Sequence, residues 1–148
     1  LDNFKAYNDY HGYVYGDKMI LISSHIIRNV VQDLTNDGFV GHIGGDDFIF
    51  VVPLDSVDAI CQNIIATFDR MAPYRYSEAD REKGWIEVAN RRGVMERFPI
   101  VTISIAVILN QKKMFSHPGE MSHMMADLKK YTKTLPGSNY LIERRKKY

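Results

Sequence analysis

The sequence predicts an α/β domain with helices packed against a mainly antiparallel sheet, and three stretches carry that expectation. Val40 to Val52 sets an apolar run on each side of Gly44-Gly45-Asp46-Asp47. It reads as a β-hairpin, because glycine accepts turn angles closed to other residues while the flanks have strand propensity. Asp17 to Leu34 carries Met19, Ile22, Ile26, Val30 and Leu34 at spacings of three and four, the stripe of an amphipathic helix. Ile100 to Leu109 alternates Val101, Ile103, Ile105, Val107 and Leu109 with Thr102, Ser104 and Ala106, the period of a strand with one apolar face.

Taken in order, Asn8 to Tyr15 reads as a turn region, and the helix over Asp17 to Leu34 starts near Gly16 or Asp17 and is widened by Ile27 and Val31. Asn36-Asp37-Gly38 ends it and leads into the hairpin. Pro53 closes the second hairpin strand, Asp55 or Ser56 is placed to cap the next helix, and Val57, Ile60, Cys61, Ile64, Ile65 and Phe68 form that helix's apolar stripe. Met71 to Pro99 mixes Tyr74, Tyr76 and Trp85 with Arg70, Arg75, Arg81, Lys83, Arg91, Arg92 and Arg97, but Glu78, Asp80, Glu82, Glu87 and Glu96 are interleaved. The strand pattern there is a hairpin, Trp85 to Ala89 and Val94 to Phe98 around Asn90 and Gly93. His117-Pro118-Gly119 reads as a break before a helix carrying Met121, Met124, Met125, Leu128, Tyr131 and Leu135. Pro136-Gly137 ends that helix, and Tyr140 to Ile142 is a last short strand.

Composition narrows the partners. A chain of 148 residues, 45% hydrophobic, has enough apolar surface for a sizeable core. Nineteen basic residues against eighteen acidic leave a net charge of +1, so nucleic acid is not an expected partner, and the basic run Arg144-Arg145-Lys146-Lys147 reads as a solvated tail. The lone Cys61 excludes an internal disulfide and reads as a small buried residue. No apolar run nears the roughly 20 residues that span a bilayer, and no signal peptide is visible, so a cytoplasmic location is expected. His42, His117 and His123 lack ligand spacing and read as packing or surface residues.

Asp46 and Asp47 are the candidate chemistry. Adjacent carboxylates at a tight turn repel, and they need a cation, a proton or several N–H donors; a solvated acidic turn is the alternative. Upstream stands Phe4-Lys5-x-x-Asn8-Asp9, then Gly12, then Gly16-Asp17; downstream stands Thr102-Ile103-Ser104-Ile105-Ala106. Together with the Gly-Gly-Asp-Asp turn, this ordered set resembles the GGDEF domain, the diguanylate cyclase fold. The long middle segment and Lys129 to Ser138 are similar to the GGDEF module of bacterial proteins that also carry EAL and CBS domains. The resemblance implies a nucleotidyl cyclase-like sheet whose N-terminal strand, running into Leu1, is missing here. The partial domain would span residues 1–148 with a long inserted segment at about 71–99.

That resemblance assigns roles position by position. Asn8 and Asp17 would recognise the guanine of GTP, chemistry that suits an amide and a carboxylate, whereas turn bonding at Asn8 and helix capping at Asp17 are the plain alternatives. Lys5 would face phosphate. Asp46 and the backbone carbonyl of Leu1 would bind Mg2+ or Mn2+, with a further aspartate expected immediately before Leu1; Asp2 is not that ligand. Two GTP molecules would be joined across a facing homodimer. Several positions depart from the pattern. Asp47 stands for a glutamate and is one methylene shorter, and Thr134 and Ser138 stand for a phosphate-binding lysine and arginine, with Lys133 turned about 100 degrees away. Thr35 and Gly38 replace the Arg-x-x-Asp of an inhibitory product site.

The expected function is a degenerate regulatory domain of cyclic di-GMP signalling that binds GTP with little turnover. An active diguanylate cyclase using Asp46 and Asp47 is the first alternative. A noncatalytic interaction or oligomerisation domain is the second, with Ala79 to Arg97 as its surface, a segment expected to be removable without unfolding the core.

Overall fold

A computed structural model describes residues 1–111 and 115–143, and the chain divides into two units, Leu1–Thr102 and Ile103–Tyr148. The basic run Arg144-Arg145-Lys146-Lys147 lies outside the described residues.

The first unit opens with two helices where the sequence predicts a turn and then a helix. α1 (Phe4–His11) buries Ala6 and Tyr7, and α2 (Tyr13–Leu34) follows after Gly12 alone. Gly12 turns the chain at φ 91°, which costs glycine little, and its N–H donates to the Asn8 carbonyl at 2.7 Å. Asn8 is therefore helical, and Asp17 lies inside α2 instead of capping it. The buried side of α2 is Met19, Ser23, Ile26, Ile27 and Val31, rotated from the predicted stripe so that Leu34 is exposed. Ser23 can occupy that side because its hydroxyl donates to the Met19 carbonyl at 2.7 Å.

Next come β1 (Phe39–Gly44) and β2 (Asp47–Val51), antiparallel, with Phe39 opposite Val51 and Gly44 opposite Asp47. α3 (Val57–Met71) buries Val57, Ile60, Cys61, Ile64 and Phe68, the predicted stripe, and packs on α2. Its predicted cap is not made: Ser56 precedes the helix, but its hydroxyl donates to Asp55 Oδ1 at 3.4 Å. The short helix α4 (Glu78–Lys83) was not anticipated, although Ser77 Oγ accepts the Asp80 N–H and Gly84, at φ 83°, closes it. β3 (Trp85–Ala89) and β4 (Met95–Pro99) then pair antiparallel as the alternation predicts, around a turn in which Asn90 Oδ1 accepts the N–H groups of Arg92 and Val94.

In the second unit β5 (Ser104–Val107) and β6 (Asn139–Ile142) pair parallel, joined through α5 (Pro118–Thr132), which packs on both. The strand predicted over Ile100 to Leu109 keeps its alternation, with Val101, Ile103, Ile105 and Val107 buried, but its ladder is confined to Ser104–Val107. β6 supplies only four partners, and at the ladder's end the Ile103 N–H donates to Ser138 Oγ at 3.0 Å. The predicted break at His117-Pro118-Gly119 is the start of α5: His117 caps the helix, its Nδ1 accepting the Gly119 N–H, and proline suits a position whose N–H has no helical partner. The helix stops at Thr132, short of the predicted Leu135, because the N–H groups of Thr134 and Leu135 close tight turns onto Tyr131 and Thr132.

The mixed helix and strand content is the α/β class predicted. The described residues, however, form three two-stranded sheets, two antiparallel and one parallel, where one mainly antiparallel sheet was expected. The one further pairing, Asp2 with Thr102, is an isolated antiparallel bridge and too short to join the pairs. No helix among the described residues is long and apolar enough to cross a membrane.

Candidate functional site

The β1–β2 turn places the acidic pair. Gly44 and Gly45 hold φ of 148° and 53°, and the register slips between His42 and Gly44, so Asp46 stands at the turn while Asp47 begins β2. His42 Nε2 lies 2.7 Å from the Gly45 carbonyl, which can only accept, so Nε2 carries the proton; the ring stacks on Phe48. The buried Leu1 is drawn against the turn, its nitrogen 3.0 Å from Asp46 Oδ2 and 3.3 Å from the Asp46 carbonyl. Two residues that the resemblance assigns to a metal thus meet. Asp2, which it does not, has Oδ2 accepting the Thr102 hydroxyl at 2.8 Å.

Among the described residues no group of three or more His, Cys, Asp or Glu side chains could hold a metal ion. Mg2+ commonly takes one or two carboxylates and completes its shell with water and phosphate oxygens. Asp46, a carboxylate standing at the turn, has the chemistry of one such ligand.

The two residues that the resemblance assigns to guanine lie where α1 meets α2. Asn8 comes from the second turn of α1, and Asp17 is exposed near the start of α2. Asn8 and Gly16 interlock: a Cβ built on Gly16 would overlap Asn8 Oδ1 and lie 2.8 Å from its Cγ. Asn8 Oδ1 is buried there without a hydrogen-bond partner. Lys5, on the exposed side of α1, remains a free-standing cation in geometry and contributes no described contact to this pair.

The departing positions have local structural roles. Thr134 Oγ1 donates to the Tyr131 carbonyl at 2.7 Å, and Ser138 Oγ accepts the Ile103 N–H. Thr35 Oγ1 accepts the Asp37 N–H at 3.1 Å, and a Cβ at Gly38 would overlap Val31 Cγ1, so the packing has no room for the aspartate of an inhibitory site.

Sequence reasoning passed over an aromatic and titratable cluster beside Asn8, buried at Tyr7 and Tyr76, half-buried at His11 and exposed at Tyr10. His11 packs its ring 4.3 Å from Tyr7, 4.7 Å from Tyr10 and 5.2 Å from Tyr76, centroid to centroid, and its Nδ1 is buried without a hydrogen-bond partner. Burial lowers the His11 pKa, against the opposing pull of the Tyr7 backbone and the Asp80 carboxylate. Tyr10 donates to Asp80 Oδ2 at 2.8 Å, and Lys83 Nζ lies 3.3 Å from Asp80 Oδ1. Burial pushes the Asp80 carboxyl up, but the Tyr10, Lys83 and Ser77 side chains together hold it below its ordinary value. The available signals were the i,i+4 pair Tyr7 and His11 and the Ser77-x-x-Asp80 cap. Cys61 is buried as expected, and burial pushes its thiol up to about 12.

Residues 1–82 match the family model described as "Diguanylate cyclase, GGDEF domain". Over 76 residues the chain is 32% identical to "Diguanylate cyclase DgcS" of Shewanella oneidensis, covering 50% of the chain and 25% of that protein. Over 59 residues it is 36% identical to an "Uncharacterized 19.3 kDa protein in repSA 5'region" of Streptomyces ambofaciens, covering 39% of the chain and 31% of that protein. The matched stretches thus span 25% and 31% of these curated relatives. No solved structure matches.

Proposed function

The chain belongs to the GGDEF family, and on that premise we propose a degenerate regulatory domain of cyclic di-GMP signalling that binds GTP with little or no turnover. The observation that carries this reading is the Asn8 carboxamide seated against Gly16, one residue before the exposed Asp17. An amide and a carboxylate are the side-chain types whose donors and acceptors suit a guanine edge. Lys5 would add a cation for phosphate. Asp46 and the Leu1 carbonyl would hold Mg2+ or Mn2+, which when bound neutralises triphosphate charge.

Three positions argue against turnover. Thr134 and Ser138 are neutral, and each hydroxyl bonds to backbone, so neither supplies transition-state charge. Asp47 is one methylene shorter than glutamate, a change of about 1 Å in reach that is enough to damage phosphoryl-transfer geometry. In this reading the domain acts in the cytoplasm, pairs as a homodimer and regulates attached EAL and CBS modules. Calorimetry of the full-length protein with GTP and Mg2+ tests it: binding heat without cyclic di-GMP is expected. No heat at millimolar GTP would sink the nucleotide-sensing role.

One observation favours a second reading, an active cyclase: the glycine turn presents two adjacent carboxylates, with Asp46 at the turn and Asp47 at the start of β2. Chromatography of products from GTP with Mg2+ and with Mn2+ decides between the two. Cyclic di-GMP in either reaction establishes the cyclase, and none in both removes it.

A further inference from the structure

We propose that the open face of the β1–β2 hairpin is a docking surface for a basic amphipathic helix of a partner protein. Alternation and register set Phe39 and Gly41 on one face with their opposites Val51 and Ile49. The packing agrees: a Cβ on Gly41 would lie 3.1 Å from Ile49 Cγ2 and 3.2 Å from Phe39 Cε1, so the ring and the methyl close over the glycine. The other face carries Val40, Phe48 and Phe50, all half-buried, and α2 packs against β1. Phe39, Ile49 and Val51 are 60%, 40% and 58% exposed, and Leu54, just beyond β2, is exposed as well. An antiparallel pair with one face in water ordinarily sets polar side chains there, so a face built of Phe, Ile and Val marks an interaction site.

Charge identifies the occupant. Every formally charged residue between Arg28 and Arg70 is an aspartate, although the whole chain is balanced at +1. Exposed Asp37 precedes Phe39 by two residues, Asp47 shares the face with Ile49 and Val51 by alternation, and exposed Asp55 follows Leu54. An apolar strip set among acids fits a partner whose apolar stripe is flanked by lysine or arginine. The same charge disfavours other occupants: a second copy docking through this patch would set acid against acid, and an anionic bilayer would repel it. A helix is the element that fits, because helices pack on sheet faces whereas an added strand would use an edge. Phe39 to Ile43 spans about 13 Å of strand, the length of two to three helical turns.

The test uses the full-length protein without nucleotide, so its outcome is separate from that of the GTP reading. A labelled amphipathic leucine–lysine peptide of about 18 residues, long enough to hold a helix, is titrated by fluorescence anisotropy. A leucine–glutamate peptide of the same pattern and a scrambled leucine–lysine peptide serve as controls. Wild type is expected to bind the leucine–lysine helix at least about tenfold more tightly than either control. Phe39→Ser with Val51→Ser should weaken that binding about tenfold, and Asp37→Asn with Asp55→Asn should weaken it severalfold and lessen its dependence on salt. Both pairs replace exposed side chains, so Tm should move little; if melts show the serine pair unfolded, the asparagine pair decides alone. Equal binding of either control peptide, or wild-type affinity in the folded variants, overturns the proposal. Self-association of wild type in sedimentation that the serine pair abolishes would give the face to a second copy, and phosphatidylserine-vesicle binding lost in the same way would give it to a membrane; each overturns the proposal too.

Discussion

At the scale of single residues, the cluster beside Asn8 makes stability depend on pH. His11 has a folded pKa lowered by burial, so in mildly acidic solution the unfolded chain takes up a proton that the folded chain refuses. The stabilisation is complete above the unfolded value of about 6.5 and is lost as pH falls from there through the lower folded value. Tm should therefore drop between about pH 7 and pH 5, and His11→Phe, which keeps a ring among Tyr7, Tyr10 and Tyr76, should flatten that slope. An equal slope in the variant would assign the loss to other groups. Asp80 adds its own loss only at lower pH, because its folded value lies below the ordinary carboxylate. Tyr10→Phe withdraws a donor from a carboxylate only 5% exposed and should cost about 1–2 kcal/mol in urea unfolding. An unchanged urea midpoint would mean that water replaces the hydroxyl. None of this was legible beforehand, since a histidine becomes informative only when its neighbours from α4 and the turn before it are known.

At the scale of elements, legibility followed periodicity. α3 and both hairpins repeat a clean pattern over enough residues to be read directly, and the buried face of α3 is the predicted stripe. α1 and α4 are short and polar, so tertiary partners decide them: Tyr7 is fully buried, and Asp80 is held by Tyr10. Asn8 and Asp17 were legible as candidate residues but were placed on a turn and a cap, because one glycine joins two helices where the spacing suggested a longer loop. The segment Ala79 to Arg97 changes meaning most. Removing it would take away Asp80, the partner of Tyr10, and Ile86, which is 1% exposed, so the core is not expected to survive that deletion. Ile86→Ala should cost about 2–4 kcal/mol, whereas replacing the exposed turn residues Arg91 and Arg92 with Ser should leave stability within about 0.5 kcal/mol. Chemical denaturation of the two variants checks both; equal losses would show that β3 and its turn are held alike.

Over the whole molecule, function and fold draw on the same side chains. Ser138 ends the β5–β6 ladder by accepting the Ile103 N–H, so placing a cation there is not a neutral edit. Ser138→Arg should cost about 1–2 kcal/mol in the second unit, read by hydrogen exchange at Ile103, and should not by itself produce cyclic di-GMP while Asp47 and Thr134 remain. Turnover from that single change would show that charge at this position alone had been limiting. The division of the chain at Thr102 can be followed through Trp85. It is the chain's only tryptophan, lies within Leu1–Thr102, and has Lys83 Nζ 4.5 Å and the Arg97 guanidinium 4.1 Å from its ring centroid. Its emission is thus a private signal of the first unit, tuned by two cations, of which Arg97, on β4, parts from the indole when β3 and β4 separate. Ellipticity, in contrast, sums the helices of both units. One denaturation series recorded in both signals distinguishes a shared transition, with coincident midpoints, from separate melting of the two units, with no need to cut the chain.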